Sequence, residues 1–233
     1  GDGTANLGVN LTAQTGTPLA VIPAGTGNDI ASALGIPANR PDAAVTMISH
    51  GATRMLDAGR CTSGTRTKWF GGVLGAGFDA KVVDRANSMS WPAGQMRYNL
   101  AILRELPVFR PIPYAVTIDG ARIDTHAMLV AVANAPSFGG GMRVCPDARL
   151  DDGLFDVMIC HRISIGAFLR VFPRVFTGRH VDHPAVEIRR GREITLTASG
   201  LVSQADGESF LPLPLEVDAV PGAVRMVVPP APS

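Results

Sequence analysis

The sequence predicts an α/β segment followed by an antiparallel β-sandwich, and three observations carry that expectation. Two glycine loops lie within residues 1–29, the second of them between an apolar run and a helical pattern. From Arg54 onward the texture changes to short apolar runs punctuated by turn dipeptides. Hydrophobic residues make up 46% of the 233 and charged residues 18%, enough apolar side chains to bury a sizeable core.

The elements follow in order. Gly1-Asp2-Gly3-Thr4 reads as loop, and a chain opening inside a tight turn lacks the strand that would support it, so the start reads as a truncation point. Leu7 and Leu11 stand one turn apart and predict a short helix over Ala5–Gln14. The continuous apolar run Pro18–Pro23 predicts a buried strand. Ala24-Gly25-Thr26-Gly27-Asn28-Asp29 is the second glycine loop, Ile30–Leu34 a helix stopped by Gly35-Ile36-Pro37, and Asp42–His50 a further helix closed by Gly51. This alternation implies a parallel sheet. Short strands are then predicted at Met55–Cys61, Lys68–Leu74, Tyr114–Ile118, Ala127–Ala133, Leu154–Ile159, Val186–Arg189, Glu193–Thr197, Leu215–Val220 and Val224–Val228. Asp119-Gly120, Arg190-Gly191 and Pro221-Gly222 read as turns between them, and helical patterns interrupt at Asp79–Ala86, Tyr98–Leu106 and Ile165–Phe176. The change of texture divides the chain into a partial α/β domain over 1–55, a sandwich over 56–228 and a proline-rich tail over 229–233.

Composition excludes several classes of function. A net charge of +1 supplies no field for nucleic acid, so any anion site is built locally. Cys61, Cys145 and Cys160 form no CxxC pair, which speaks against a zinc knuckle or disulfide framework and fits a reduced, cytoplasmic setting. No apolar run approaches the roughly 18 residues of a membrane span, although contact with a membrane surface stays open.

Glycines entering a helix free backbone N–H groups to face an anion, and the helix N-terminus adds partial positive charge. Asp2, between two such glycines, would repel a phosphate unless it holds Mg²⁺ or orients a hydroxyl; an ordinary Asp-Gly turn is the plainer reading. In the second loop Thr26 offers a hydroxyl, while Asn28 or Asp29 can cap the next helix. Gln204-Ala205-Asp206-Gly207-Glu208 is either a hairpin turn or, if extended, two carboxylates on one side. Arg149–Leu154 can wrap an oxygen-seeking cation or simply turn, and Ser137–Gly141 can line a ligand or make a loop. Asp57 is either a link in a hydrogen-bonded network or a strand-edge residue. Phe168, Phe172 and Phe176, interleaved with Arg170, Arg174 and Arg179, read as a core stripe or as a basic face for anionic lipid.

GDGT (1–4), PAGTGND (23–29), LGAGFDA (74–80), NAPSFGGG (134–141), the Pro146–Asp156 stretch and DGE (206–208) resemble, in this order, the bacterial diacylglycerol kinase and YegS-like lipid kinases, with sphingosine and ceramide kinases more distant. The resemblance covers residues 1 to about 228. It implies a nucleotide-binding α/β domain, partial here, and a β-sandwich domain for the acceptor. It implies ATP and Mg²⁺ as cofactors and a lipid alcohol such as diacylglycerol as acceptor, met at a membrane surface. Residue by residue, it implies nucleotide contacts from Gly1, Asp2, Gly3, Thr4, Ala5 and Asn6 and from Gly25, Thr26, Gly27 and Asn28, with Asp29 toward the acceptor head group. Asp206 and Glu208 become a catalytic acidic pair, one of them the proton acceptor, assisted by Asp2. Asp152, with the carbonyls of Arg149 and Leu154, becomes a structural metal site. The resemblance also implies a strand, a helix and a further strand before a first glycine, which this sequence does not contain; a molecule truly lacking them would have a nucleotide pocket short of a wall. A kinase of a soluble acceptor such as NAD is the rival enzyme, and a nucleotide- or lipid-binding module without turnover the rival outside enzymes. Edge strands of the sandwich offer a homodimer contact.

Overall fold

The computed structural model describes residues 1–25, 27–37, 40–50, 52–77 and 110–229. Thr26, the helical patterns at 79–86 and 98–106, the end of the LGAGFDA stretch and residues 230–233 lie outside the described residues. Three helices open the chain: α1 (Asp2–Thr12), α2 (Asp29–Ala33) and α3 (Pro41–His50). Among the described residues eleven strands follow: β1 (Ala52–Ser63), β2 (Arg66–Phe70), β3 (Val73–Gly77), β4 (Ile112–Ile118), β5 (Ala121–Ala133), β6 (Phe155–His161), β7 (Val186–Gly191), β8 (Glu193–Thr197), β9 (Val202–Ala205), β10 (Glu208–Pro212) and β11 (Leu215–Val228). A short helix, α4 (Ile165–Val171), and two 3-10 turns (Phe172–Thr177 and Arg179–Asp182) stand between β6 and β7.

The strands form one antiparallel sheet in the order β10-β9-β3-β5-β4-β8-β11-β1-β2, with β6 paired to both β5 and β7. The sheet folds over on itself. Phe70 of β2 stacks on Phe155 of β6 with ring centroids 5.6 Å apart, and Leu211 of β10, at the other end of the strand order, joins the same core. Alternation puts Tyr114, Val116 and Ile118 of β4 inside, the pattern of a strand with one buried face. A second core lies between the helices and the β1–β11 ladder, where Ala5 and Val9 of α1 and Ile30 and Ala31 of α2 meet Leu56, Val224 and Met226.

The expected mixed architecture is present, with local differences. α1 starts at Asp2, not Ala5: Gly1 is its N-cap and accepts the Ala5 amide at 3.0 Å, while Asp2 complements the positive end of the helix. Pro18–Pro23 makes a single parallel bridge, Leu19 to Met226, in place of a full strand. Lys68–Leu74 splits into β2 and β3 at Gly71-Gly72. Ile165–Phe176 is helical only to Val171, after which Pro173 brings a 3-10 turn.

Of the three predicted turns, Asp119-Gly120 is the hairpin between β4 and β5, with positive φ at both residues (46° and 82°). Arg190-Gly191 forms the last two residues of β7, directly before the bend at Arg192, and a side chain at Gly191 would strike Ile118. Pro221-Gly222 is a bulge inside one long β11, opposite Asp57. The buried Asp57 carboxylate accepts from Gly222 N at 2.8 Å and Gly153 N at 2.6 Å, pinning the bulge to the 149–154 loop. The proposed division at residue 55 falls inside β1, which pairs with β11 on both sides of it.

Candidate functional site

The two glycine loops meet backbone to backbone. A Cβ built on Gly25 would lie 2.4 Å from the Cα of Gly1, so only glycine allows this approach. The second loop is closed by Asn28, held in the left-handed region at φ 57°. Its side chain accepts from Gly25 N at 2.8 Å and donates to Gly25 O at 2.7 Å. Asn28 therefore shapes the loop and does not cap α2 with its side chain. Asp2 projects from the first turn of α1 toward this loop: its Oδ1 accepts from Ile30 N at 3.4 Å, and its Oδ2 lies against the Cα of Gly27.

Asp29, the first residue of α2, is 7% exposed. It accepts from Gly140 N and Gly141 N, both at 2.8 Å, and so ties the glycine loop to the Ser137–Gly141 segment. Burial pushes its carboxyl above the ordinary value, the glycine amides pull it back, and the Asp2 carboxylate nearby pushes it up again.

The acidic triplet is not extended. Asp206 and Gly207 both take positive φ (50° and 85°) and form a two-residue hairpin between β9 and β10, and the two carboxylates go to different environments. Asp206 is 5% exposed. Its Oδ2 accepts from Asn6 Nδ2 (2.8 Å) and Gly71 N (3.0 Å), and its Oδ1 from Gly72 N (2.9 Å) and Val73 N (3.2 Å). Four donors occupy the two oxygens. Burial raises this carboxyl above its ordinary value, and the same donors act against that rise. Glu208 is exposed, and its carboxylate lies against the Cα of Gly3, where a Cβ would come within 2.3 Å of Oε1. It thus stands beside the N-terminal turn of α1.

Of the nucleotide-contact residues expected from the sequence, Gly1, Asp2, Gly3, Gly25 and Gly27 come together here, joined by Glu208 and Asp29. Thr4 is exposed on α1, whereas Ala5 and Asn6 face inward. Asn6 uses both its amide hydrogens, on Asp206 and on Trp69 O at 3.1 Å. Sequence reasoning passed over Asn10, which receives Trp69 N and donates to Trp69 O, both at 2.8 Å, and Asn134, which donates to Asp57 O and Gly71 O, both at 2.9 Å. The i, i+4 spacing of Asn6 and Asn10 on a helix was the available signal.

Arg149, Asp152 and Leu154 stand apart from this cluster on the loop before β6. Asp152 Oδ1 accepts from Leu154 N at 3.2 Å, and Oδ2 is paired with Arg190, which also reaches Asp156 at 2.8 Å. Among the described residues no three of His, Cys, Asp and Glu gather as a metal cluster. A cation at Asp152 therefore has Arg190 as a competitor.

A helix N-terminus and a second glycine loop, faced by an acidic hairpin, stand together where the helical segment meets the strands of a β-sandwich-like domain. Comparisons with known proteins give the family of this architecture. Residues 1–61 match the diacylglycerol kinase catalytic domain and residues 72–228 the YegS C-terminal NAD kinase beta sandwich-like domain. A diacylglycerol kinase of Mycobacterium tuberculosis is 40% identical over 231 residues, covering 98% of this chain and 75% of the relative. One from Bacillus subtilis is 30% identical over 233 residues, covering 98% and 76%. A solved structure from Bacillus anthracis strain Sterne, described as a diacylglycerol kinase, shares the fold with a TM-score of 0.70 at 21% identity, over 99% of this chain and 75% of that one. The chain belongs to the diacylglycerol kinase and YegS-like family of lipid kinases.

Proposed function

We propose that the chain binds ATP with Mg²⁺ at the facing glycine loops and transfers the γ-phosphate to the hydroxyl of diacylglycerol or a similar lipid alcohol. Glu208 is the proton acceptor in this reading. The observation that carries it is the division of labour within the acidic triplet. Every acceptor position of Asp206 is filled by Asn6, Gly71, Gly72 and Val73, whereas Glu208 is exposed beside the N-terminal turn of α1. A base must reach the proton it removes, and of the two only Glu208 is open to a substrate hydroxyl. Asp206 is then a positioning residue that holds the hairpin against α1 and the Gly71-Gly72 turn.

Phosphoryl transfer asks the protein for positioning and charge stabilisation more than for covalent chemistry. The α1 N-terminus supplies backbone donors and partial positive charge for the phosphates. Asp2, beside Gly27, is the carboxylate placed to meet the Mg²⁺ that accompanies ATP; the ion neutralises phosphate charge when bound. Asp29 fixes the loop geometry and, through Gly140 and Gly141, the wall facing the acceptor. The reading places the enzyme in the cytoplasm at the inner membrane surface, where a lipid alcohol is met; among the described residues no helix is long and apolar enough to cross a membrane.

The direct test follows labelled γ-phosphate from ATP-Mg²⁺ into diacylglycerol in mixed micelles, using this chain and a form extended at its N-terminus to the relatives' length. Transfer to diacylglycerol and not to NAD is the expected result. Transfer to NAD alone moves the protein to a soluble-acceptor kinase, and ATP binding without any transfer makes it a binding module.

Gly25→Ala should weaken ATP binding by about tenfold or more, because the added methyl group meets the Gly1 backbone, which cannot swing aside as a side-chain end does. Isothermal titration with a non-hydrolysed ATP analogue reads this, and unchanged affinity would show that the two loops do not share the nucleotide. The cation proposed at Asp152, Arg149 and Leu154 is tested by thermal unfolding. Mg²⁺ should raise the melting temperature of the wild type and not that of Asp152→Asn. Equal shifts, or none, assign the charge balance of Asp152 to Arg190 alone.

A further inference from the structure

The segment between β6 and β7 is absorbed by neither the fold's core nor the proposed chemistry. Its inner side is buried, as in an ordinary surface helix: Val175 packs with Val144, Cys145 and Ala148, and Val171 is also buried. Its outer side does not follow the same rule. Ile165, Leu169 and Phe176 are 47%, 49% and 39% exposed, where a surface helix normally presents polar residues. Phe168, Phe172 and Phe176 form a ring ladder, the first pair stacked at 5.3 Å and the second edge-on at 6.0 Å, which stiffens the segment.

The charge exposed along residues 162–179 is one-signed. Arg162, Arg170, Arg174 and Arg179 are all exposed, and among the described residues none of them forms a salt bridge. Asp182 is the single acid between Arg162 and Asp182. The arginines at 60, 122 and 190, by contrast, are each paired with an aspartate. Arg174 and Arg179 border an open concavity of about 610 Å³ with Pro173, Thr177 and Asp182. Exposed aliphatic and aromatic tips fringed by unpaired arginines complement the headgroup layer of an anionic bilayer, where the apolar tips enter the acyl boundary and the guanidinium groups meet phosphates.

We infer that α4 and the following 3-10 turn, residues 162–179, form a docking surface for an anionic phospholipid membrane. The surface is joined to the candidate site. Val175 O receives Arg143 N at 2.9 Å and His180 Nε2 contacts Val144 O at 3.1 Å, two to three residues along the chain from Gly141, whose amide holds Asp29. A bilayer seated on 162–179 therefore lies beside the loop that walls the acceptor side. An acidic protein partner would suit the arginines, but the exposed Ile165 and Leu169 at the segment's leading end favour the bilayer.

The test is co-sedimentation of the chain with sucrose-loaded vesicles, without ATP or diacylglycerol, so that docking and kinase activity are read separately. Retention is expected on phosphatidylglycerol-containing vesicles, falling with salt, and not on pure phosphatidylcholine. Arg170→Gln/Arg174→Gln/Arg179→Gln should weaken retention by roughly fivefold per arginine, on the order of a hundredfold in all. Leu169→Ser should weaken it without changing the salt dependence. Arg40→Gln/Arg60→Gln/Arg122→Gln, with the same loss of charge elsewhere, should retain wild-type binding. Circular dichroism melts confirm folding of each variant. The proposal is overturned if both triple variants behave alike, if zwitterionic vesicles retain the chain equally, or if no vesicle retains it, the last leaving the patch to an acidic protein. Docking without phosphate transfer would leave this inference standing and remove only the kinase reading.

Discussion

Glu208→Gln is expected to lower phosphate transfer by roughly two to four orders of magnitude, the usual worth of a positioned general base. The substitution keeps the size and polarity of the side chain and removes its ability to take a proton. Glu208 is exposed and contributes nothing to the buried core, so the melting temperature should stay within about a degree of the wild type. Binding of an ATP analogue should also persist, because the proposed phosphate site is built of backbone groups. Turnover in the variant comparable to that of the wild type would remove Glu208 from the mechanism. A loss confined to KM for ATP would recast it as a ligand of the nucleotide's metal.

Asp206→Ala should fail differently. Four donors, from Asn6, Gly71, Gly72 and Val73, lose their acceptor at a site almost closed to water. Each buried donor left unpaired costs about 1–3 kcal/mol, so a loss of about 3 kcal/mol or more is expected. For a chain of this size that lowers the melting temperature by roughly 6–12 °C. Activity should fall along with stability, since α1, the Gly71-Gly72 turn and the 206–207 hairpin are all held by this one carboxylate. Asp206→Asn is no rescue: its amide would turn a donor toward donors. An Asp206→Asn protein that melts as the wild type does, yet transfers no phosphate, would reverse the assignment and make Asp206 the base. Comparing both residues by melting temperature and turnover thus separates a base from a positioning residue, which turnover alone cannot do.

The acidic triplet also shows why a motif is weaker than its surroundings. As sequence, Asp206-Gly207-Glu208 offers two equivalent carboxylates one residue apart. Positive φ at Asp206 and Gly207 turns the chain between them, sending one acid into the core and the other to the surface. Glycines carried similar ambiguity. Gly191 and Gly222 looked like turn residues; Gly191 is required by the close approach of Ile118, and Gly222 by a bulge that Asp57 fixes. Asp119-Gly120 was legible because a two-residue hairpin is a purely local solution.

By itself the sequence determined what is local or periodic. Alternation in β4, the hairpin at Asp119-Gly120 and the glycine-rich segments are set by residues within a few positions of one another, and they fix the mixed architecture; the Leu7–Leu11 spacing located α1, although both leucines are exposed on it and Ala5 and Val9 face the core. Only the tertiary structure decided which ingredients meet. Asn6 reaches Asp206 across 200 residues, Asp29 reaches Gly140 across 111, and Gly153 reaches Asp57 across 96. Such bonds leave no period in the sequence, because a buried carboxylate asks only for donors, and backbone amides, present at every residue but proline, can supply them from anywhere in the chain.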